Sequence, residues 1–346
     1  MKPLTLVFAA GLAVGQPRLQ NARLETRPIS GSLESAFQAT VAAQVTPAWV
    51  GYAAPQIPGE RNMCCFYSNN GVSYQGCVLE EQSTTPTFAP PNTVRLEGAS
   101  EFYVFFRIEN KQVQKVRSFS IDCNVDGGGL PFIWMTGVNP AQSVALLESL
   151  IPNAERRVMN GAISAIGMTR DPAADSALDR LTASSQAEET RRQAVFWLGN
   201  ARGRHGYESL ARILKEDPSD RVRENAIFGL TQSKEPEAIP AIVSVARDDK
   251  SARVRGQALF WLAQKAEKQI SEDAIRRAIE QDPETQVKRR AVSALTQMKD
   301  GEGVPLLIEI ARTNKNPAIR KEAMQVLGRS KDPRAVKFFE DVLNAK

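Results

Sequence analysis

From residue 158 onward the sequence keeps returning to one short pattern. Val222-Arg223-x-x-Ala226-Ile227-x-x-Leu230 comes back as Val254-Arg255-x-x-Ala258-Leu259-x-x-Leu262, Val287-Lys288-x-x-Ala291-Val292-x-x-Leu295 and Ile319-Arg320-x-x-Ala323-Met324-x-x-Leu327. Weaker copies stand upstream at Arg191-x-x-Ala194-Val195-x-x-Leu198 and Val158-Met159-x-x-Ala162-Ile163-x-x-Ile166. The six alanines are separated by 32, 32, 32, 33 and 32 residues. A fixed period of that size requires a stacked repeat array, because each unit buries its apolar face against its neighbours.

Within one copy the apolar positions fall four residues apart, with one more beside the alanine, and a helix turning about 100° per residue gathers them onto one face. A second apolar-periodic stretch precedes the motif, as in Ser209 to Leu214, Pro236 to Ala246 and Gly303 to Ala311. A few residues rich in Asp, Pro, Asn and Ser join the two. Each repeat is therefore a helix pair, and residues 139–346 read as an α-helical solenoid of about six pairs with a closing helix from Pro333 to Leu343.

This stretch resembles the HEAT repeat, in the short bacterial form named after phycobilisome lyases. That family typically carries an Asp six residues before the motif Arg. Here Asp217, Asp249 and Asp282 precede Arg223, Arg255 and Lys288 by six, while Ser185 and Asn314 stand in the corresponding places before Arg191 and Arg320. The resemblance implies a ladder in which each half-buried cation meets a carboxylate of its own or the adjacent inter-helix turn. Such pairs set register and stacking rather than chemistry.

The first 138 residues are richer in aromatic, Thr, Ser and Gly residues and contain all four cysteines, so the domain boundary reads at Gly137 to Pro140. Residues 1–15 have one early cation, an apolar run from Leu4 to Val14 and small residues at the end, which are the marks of a cleaved secretory leader too short to span a bilayer. The expected mature protein begins near Gln16 and is exported to the periplasm or beyond, with no transmembrane segment. Cys64, Cys65, Cys77 and Cys123 are an even set that fits two disulfides in an oxidising compartment. Adjacent cysteines rarely bond each other, so Cys64 and Cys65 are expected to reach Cys77 and Cys123, in either order. The spacing lacks the paired CxxC knuckles of a four-thiolate zinc site.

For residues 16–138 the pattern predicts one helix, Leu33 to Val45, opened by Ser32. It also predicts strands at Val72 to Leu79, Thr93 to Glu97, Phe102 to Glu109, Val113 to Ile121 and Phe132 to Met135, with a tight turn at Asn110-Lys111. These make a small, antiparallel, disulfide-stapled β-rich domain. Asp122-Cys123-Asn124-Val125-Asp126-Gly127 matches the first half of a calcium loop, but Ile133 occupies the place of the bidentate Glu, so Asp122, Asn124 and Asp126 read first as a turn.

Much chemistry is missing. The only histidine, His205, lies between glycines and reads as a solvated loop residue. One histidine excludes a diiron centre of the kind found in HEAT-repeat hydroxylases, and an imidazole in a glycine-flanked turn has no evident orienting partner for a nucleophilic triad. No phosphate-cradling glycine loop, HExxH or GxSxG is present. Residues 1–140 hold 10 cations against 10 acids, leaving 34 against 29 in the repeats, a surplus too dilute for nucleic acid. No cofactor is expected.

One surface stands out. Two residues after the motif alanine, about 200° round the helix from it, the middle repeats place Phe196, Phe228 and Phe260, with Trp197 and Trp261 beside them. Such a row marks an interaction face, for a partner or for the chain's own N-terminal domain, unless the curvature of the solenoid buries it between layers. The chain therefore reads as a non-enzymatic scaffold for another protein, with Arg192, Arg202 and Arg204 flanking the row and placed to meet an acidic partner. The competing reading is an enzyme or ligand-sensing subunit, bilin-lyase-like or metal-binding through the N-terminal domain.

Overall fold

The computed structural model describes residues 17–59, 63–69, 72–80 and 100–344; the leader at 1–15 and the strand read at Thr93 to Glu97 lie outside them. Packing divides the chain into two compact units, residues 1–178 and 179–346. The compositional boundary marks where strands give way to helices, since β10 (Pro131–Thr136) ends just before α2 (Pro140–Ser149). The first helix pair nevertheless packs with the sheet, so the division by compactness falls later, inside α4 (Pro172–Leu181).

In the first unit β2 (Arg23–Pro28), β3 (Ala48–Pro55), β7 (Glu101–Glu109), β8 (Gln112–Ser120) and β10 form one five-stranded sheet in the order β2-β10-β3-β7-β8. The sheet is mixed rather than antiparallel: β10 runs parallel to both β2 and β3, while β3, β7 and β8 are antiparallel. Helix α1 (Leu33–Ala42) causes this by carrying the chain from β2 across to β3, leaving a slot that β10 fills. Ser32 caps α1, accepting from Ser35 N, and the helix ends three residues before Val45. Asn110 and Lys111 both take the left-handed backbone that a two-residue hairpin turn needs.

Both faces of the sheet are covered. On one, Phe106 meets Phe37 of α1 at 4.8 Å and Tyr52 at 5.6 Å, and Tyr52 bonds Ser143 of α2 through its hydroxyl at 2.8 Å. Burial pushes the Tyr52 phenol well above its ordinary range. Helix α3 (Arg156–Met168) lies so close to β8 that a side chain at Gly161 would run into Val116. On the other face Tyr103, Phe105, Phe132 and Trp134 pack with the disulfides Cys64–Cys123 and Cys65–Cys77. The half-buried Glu80 carboxylate accepts from Trp49 Nε1 at 2.8 Å and pairs with Arg107 at 2.6 Å.

Three short parallel strands, β1 (Leu19–Gln20), β9 (Val125–Asp126) and β6 (Cys77–Val78), and the hairpin β4 (Phe66–Asn69)–β5 (Val72–Gln75) complete the unit. The strand read at Val72 to Leu79 is thus two strands broken at Gly76.

The second unit contains α5 (Glu188–Ala201), α6 (Gly203–Glu216), α7 (Asp220–Gln232), α8 (Ala238–Asp248), α9 (Ala252–Lys265), α10 (Lys268–Gln281), α11 (Thr285–Ala294), α12 (Val304–Thr313), α13 (Pro317–Arg329) and α14 (Pro333–Asn344). The motif alanines 194, 226, 258, 291 and 323 are fully buried on α5, α7, α9, α11 and α13. The motif arginine does more than pair with one turn. Arg223 gives Nε and Nη2 to Asp249 of the next turn at 2.9 Å each, Nη2 also to Asp220 at 2.9 Å, and Nη1 to the carbonyls of Asp217 and Pro218 of its own turn at 2.8 and 3.3 Å. All five guanidinium hydrogens are thereby used, which is how a cation sits only 1% exposed in a repeat core. The hydrogen bonds it donates to Asp249 hold that guanidinium above its ordinary pKa.

Arg191 repeats the pattern with Asp217, and Arg255 with Asp282. Each Asp closes its turn by accepting the backbone N–H two residues on, from Ser219, Ser251 or Glu284. The ladder changes at Lys288, whose ammonium reaches the carbonyl of Glu280 at 3.2 Å while Asn314 stands where the next carboxylate would be.

Two stability outcomes follow from these networks. Arg223→Ala leaves Asp249 buried without its cation and is expected to cost roughly 3–5 kcal/mol in urea unfolding; Lys288→Arg combined with Asn314→Asp is expected to add about 1 kcal/mol, with neither change alone doing so. Closing a 59-residue separation by Cys64–Cys123 against 12 by Cys65–Cys77 predicts that losing the first disulfide costs more, roughly 4 against 3 kcal/mol, followed by tryptophan fluorescence.

Candidate functional site

The motif helices place the five aromatic residues in one continuous file. Trp197 meets Phe196 edge-on at 5.5 Å, Phe196 stacks on Phe228 at 6.4 Å with planes 15° apart, Phe228 leans on Trp261 at 5.2 Å, and Trp261 meets Phe260 edge-on at 5.2 Å. Phe196 is 38% exposed and the other four are half-buried. The file is neither core nor fully solvated.

Close approach of two helices makes the central stack. Gly199 and Gly229 face each other, and a Cβ on Gly199 would collide with the Gly229 backbone. Bare backbones let α5 and α7 draw together until Phe196 and Phe228, three and one residues before these glycines, lie ring against ring.

Phe196, Phe228, Phe260 and Trp261 line an open groove of about 970 Å³ that continues across α11. Trp197 supports Phe196 from outside that lining. The wall also includes Asn225, Gln257 and Arg290, all at the position just before the motif alanine, together with Glu224 and Arg253. Arg253 forks onto Glu224 with two bonds of 2.7 Å, so these charges cancel. The amide row was within reach of the same helical arithmetic that finds the phenylalanines, since Gln193, Asn225 and Gln257 recur at one motif position.

The flanking arginines do not join the groove. Helix α6 begins at Gly203, so what read as a loop is its first turn, and Arg204 there pairs with Glu208 at 2.9 Å, Glu237 at 2.8 Å and Glu235 at 3.4 Å. Its guanidinium is consumed by its own and the following repeat. Arg202 sits at the α5–α6 junction against Gly206, and Arg192 pairs with Glu189 at 2.9 Å. His205 is likewise helical rather than in a solvated loop. Its Nε2 stands 3.2 Å from Asp179 Oδ2, out of line for a hydrogen bond, and Asp179 itself receives Ser209 Oγ at 2.7 Å and Arg212 at 3.1 Å. The serine hydroxyl is bound to the carboxylate and His205 Nε2 makes no hydrogen bond among the described residues, so the cluster holds no Ser–His pair.

The half calcium loop is also spent. Asp126 is a strand residue, 6% exposed, whose Oδ1 accepts from Gly128 N at 2.7 Å and Asn21 Nδ2 at 3.3 Å. Asp122 lies beside the sulfurs of Cys64 and Cys123, which are bonded to each other and offer no thiolate. No helix among the described residues is long and apolar enough to cross a membrane.

Gly199→Ala is expected to force α5 and α7 apart at a cost of about 1–3 kcal/mol, whereas Phe196→Ser should cost under about 1 kcal/mol; thermal unfolding compares them.

Residues 207–268 and 272–346 match the family of HEAT repeats. No curated protein matches the sequence. Among solved structures, the chain is similar to the complex of CpcE and CpcF of phycocyanin lyase from Nostoc sp. PCC7120, at 18% identity over 60% of this chain and 90% of that one, TM-score 0.29. It is also similar to human deoxyhypusine hydroxylase in complex with glycerol, at 16% identity over 59% of this chain and 79% of that one, TM-score 0.25. Kap95p, from its complex with RanGDP, aligns at 15% identity over 61% of this chain and 34% of that one, TM-score 0.36. Within the second unit, the helices from residue 207 onward are thus similar to HEAT repeats.

Proposed function

We propose that this protein is a non-enzymatic interaction scaffold that holds a segment of a partner protein in the aromatic groove of its central repeats. The observation that carries the reading is the unbroken file of five rings bordering an open groove, on an array whose other large apolar groups are mostly buried. Rings in such a position supply large contact area at little entropic cost, and Trp with Phe neighbours is the composition of binding hot spots. Export to the bacterial envelope is part of the proposal. It is supported by the leader-like residues 1–15 and by two disulfides that leave no free cysteine among the described residues.

The test is a photo-crosslinking pull-down from envelope extract, comparing the mature protein with a Phe196→Ser, Phe228→Ser, Phe260→Ser variant first shown to fold by circular dichroism. The wild type is expected to capture a defined protein that the variant loses, since removing hot-spot rings costs on the order of 2 kcal/mol or more each. Equal capture by both would end the groove reading. Intact mass of the exported protein is expected to place its first residue near Gln16.

A further inference from the structure

The groove has a charge that nothing in it answers. Glu224 is the one acid among the described residues lining it, and Arg253 neutralises that acid through both carboxylate oxygens. Arg290 remains. Its Nη1 donates to the carbonyl of Arg253 at 3.1 Å, and no carboxylate among the described residues lies within ion-pair distance of it. That single bond fixes the head of the side chain and leaves the other guanidinium hydrogens to the groove.

Its stem is fixed as well. A Cβ on Gly256 would stand 2.5 Å from Arg290 Cδ, so the arginine lies across the bare backbone of α9 in the space a side chain would take. Other repeats carry Arg192, Glu224, Arg289 and Lys321 at the Gly256 position. The glycine thus orients a cation over the groove.

Arg290 also ends a row. It occupies the same motif position as Asn225 and Gln257, which line the groove half-buried and have no hydrogen-bond partner among the described residues. A primary amide offers one face with both donor and acceptor, the complement of a peptide group. Adjacent packed helices lie roughly 10 Å apart, close to three residues of extended chain at about 3.3 Å each. Two amides and a guanidinium on successive helices therefore match peptide groups at every third residue, with a carboxylate at the end of the run.

We propose that the groove takes an extended acidic peptide segment, its backbone held by Asn225 and Gln257, a large apolar side chain on the aromatic file, and an Asp, Glu or terminal carboxylate on Arg290. The inference rests on the scaffold reading above and adds the chemistry of the partner.

The experiment selects random twelve-residue peptides displayed on phage against the immobilised full chain. The best binder and its counterpart with the acidic residue made neutral (Glu to Gln or Asp to Asn) are then titrated by fluorescence anisotropy. Enriched peptides are expected to carry an acidic residue at a fixed spacing from a Phe, Trp or Leu. Arg290→Gln should weaken the acidic peptide about tenfold while leaving the neutral counterpart within about twofold. Gly256→Ala, which displaces the arginine without removing it, should shift affinity in the same direction. Enrichment of apolar peptides without an acidic preference, or an equal effect of Arg290→Gln on both peptides, overturns the carboxylate site and leaves the groove. If a folded Phe228→Ser, Trp261→Ser variant enriches the same peptides as the wild type, or if nothing is enriched at all, the groove reading itself fails.

Discussion

The array depends on a guanidinium that belongs to two turns at once. Arg223 holds the carbonyls of the turn it follows and the carboxylate of the turn ahead, so its five hydrogens are satisfied only when two consecutive repeats are in register. Taking two charges out of water costs about as much as their attraction returns, so the bridge is better regarded as a specification of stacking than as a store of stability. Apolar faces of Ala, Val and Leu would tolerate a slip by one helical turn, but a buried arginine facing the wrong backbone would not. Arg191, Arg223 and Arg255 fix the steps between four consecutive turns, and the aromatic file spans the helices that carry them.

Register then becomes function through geometry. Phe196, Phe228 and Phe260 form a row because the motif alanines they follow are held level, and the Gly199–Gly229 contact tightens one step until two rings stack. Where the ladder weakens, at Lys288, the aromatic row also stops and Ser293 takes its place in the groove wall. A lysine presents a point charge without the fork that can bridge two turns, so the cation and the surface row change character at the same repeat.

The legible features were those set by period alone: the helix pairs, the alanine seam, the phenylalanine row and the Asp–Arg spacing. In the first unit, alternation revealed β7 and β8 but not β3, whose residues Ala48 to Tyr52 are buried on both faces and so show no alternation at all. The parallel placement of β10 was beyond local pattern because it depends on α1 crossing from β2 to β3. Arg204 misled for a related reason. Its glycine neighbours suggested a turn, yet Gly203 starts α6 with positive φ and Gly206 fits against the Leu198 carbonyl, where no side chain has room.

Arg290 shows what a one-dimensional pattern leaves out. By sequence it is one of three consecutive cations, Lys288, Arg289 and Arg290, and nothing local separates it from the other two. Its distinction comes from a glycine 34 positions earlier and a carbonyl 37 positions earlier, both on the neighbouring helix. A residue acquires a binding role in a repeat array when its neighbour one repeat away fails to answer it. Glu224 answers Arg253 and Asp282 answers Arg255, and both pairs are closed. Of the two arginines that line the groove, Arg253 is closed by Glu224, and Arg290, which meets no carboxylate among the described residues, is left for a partner.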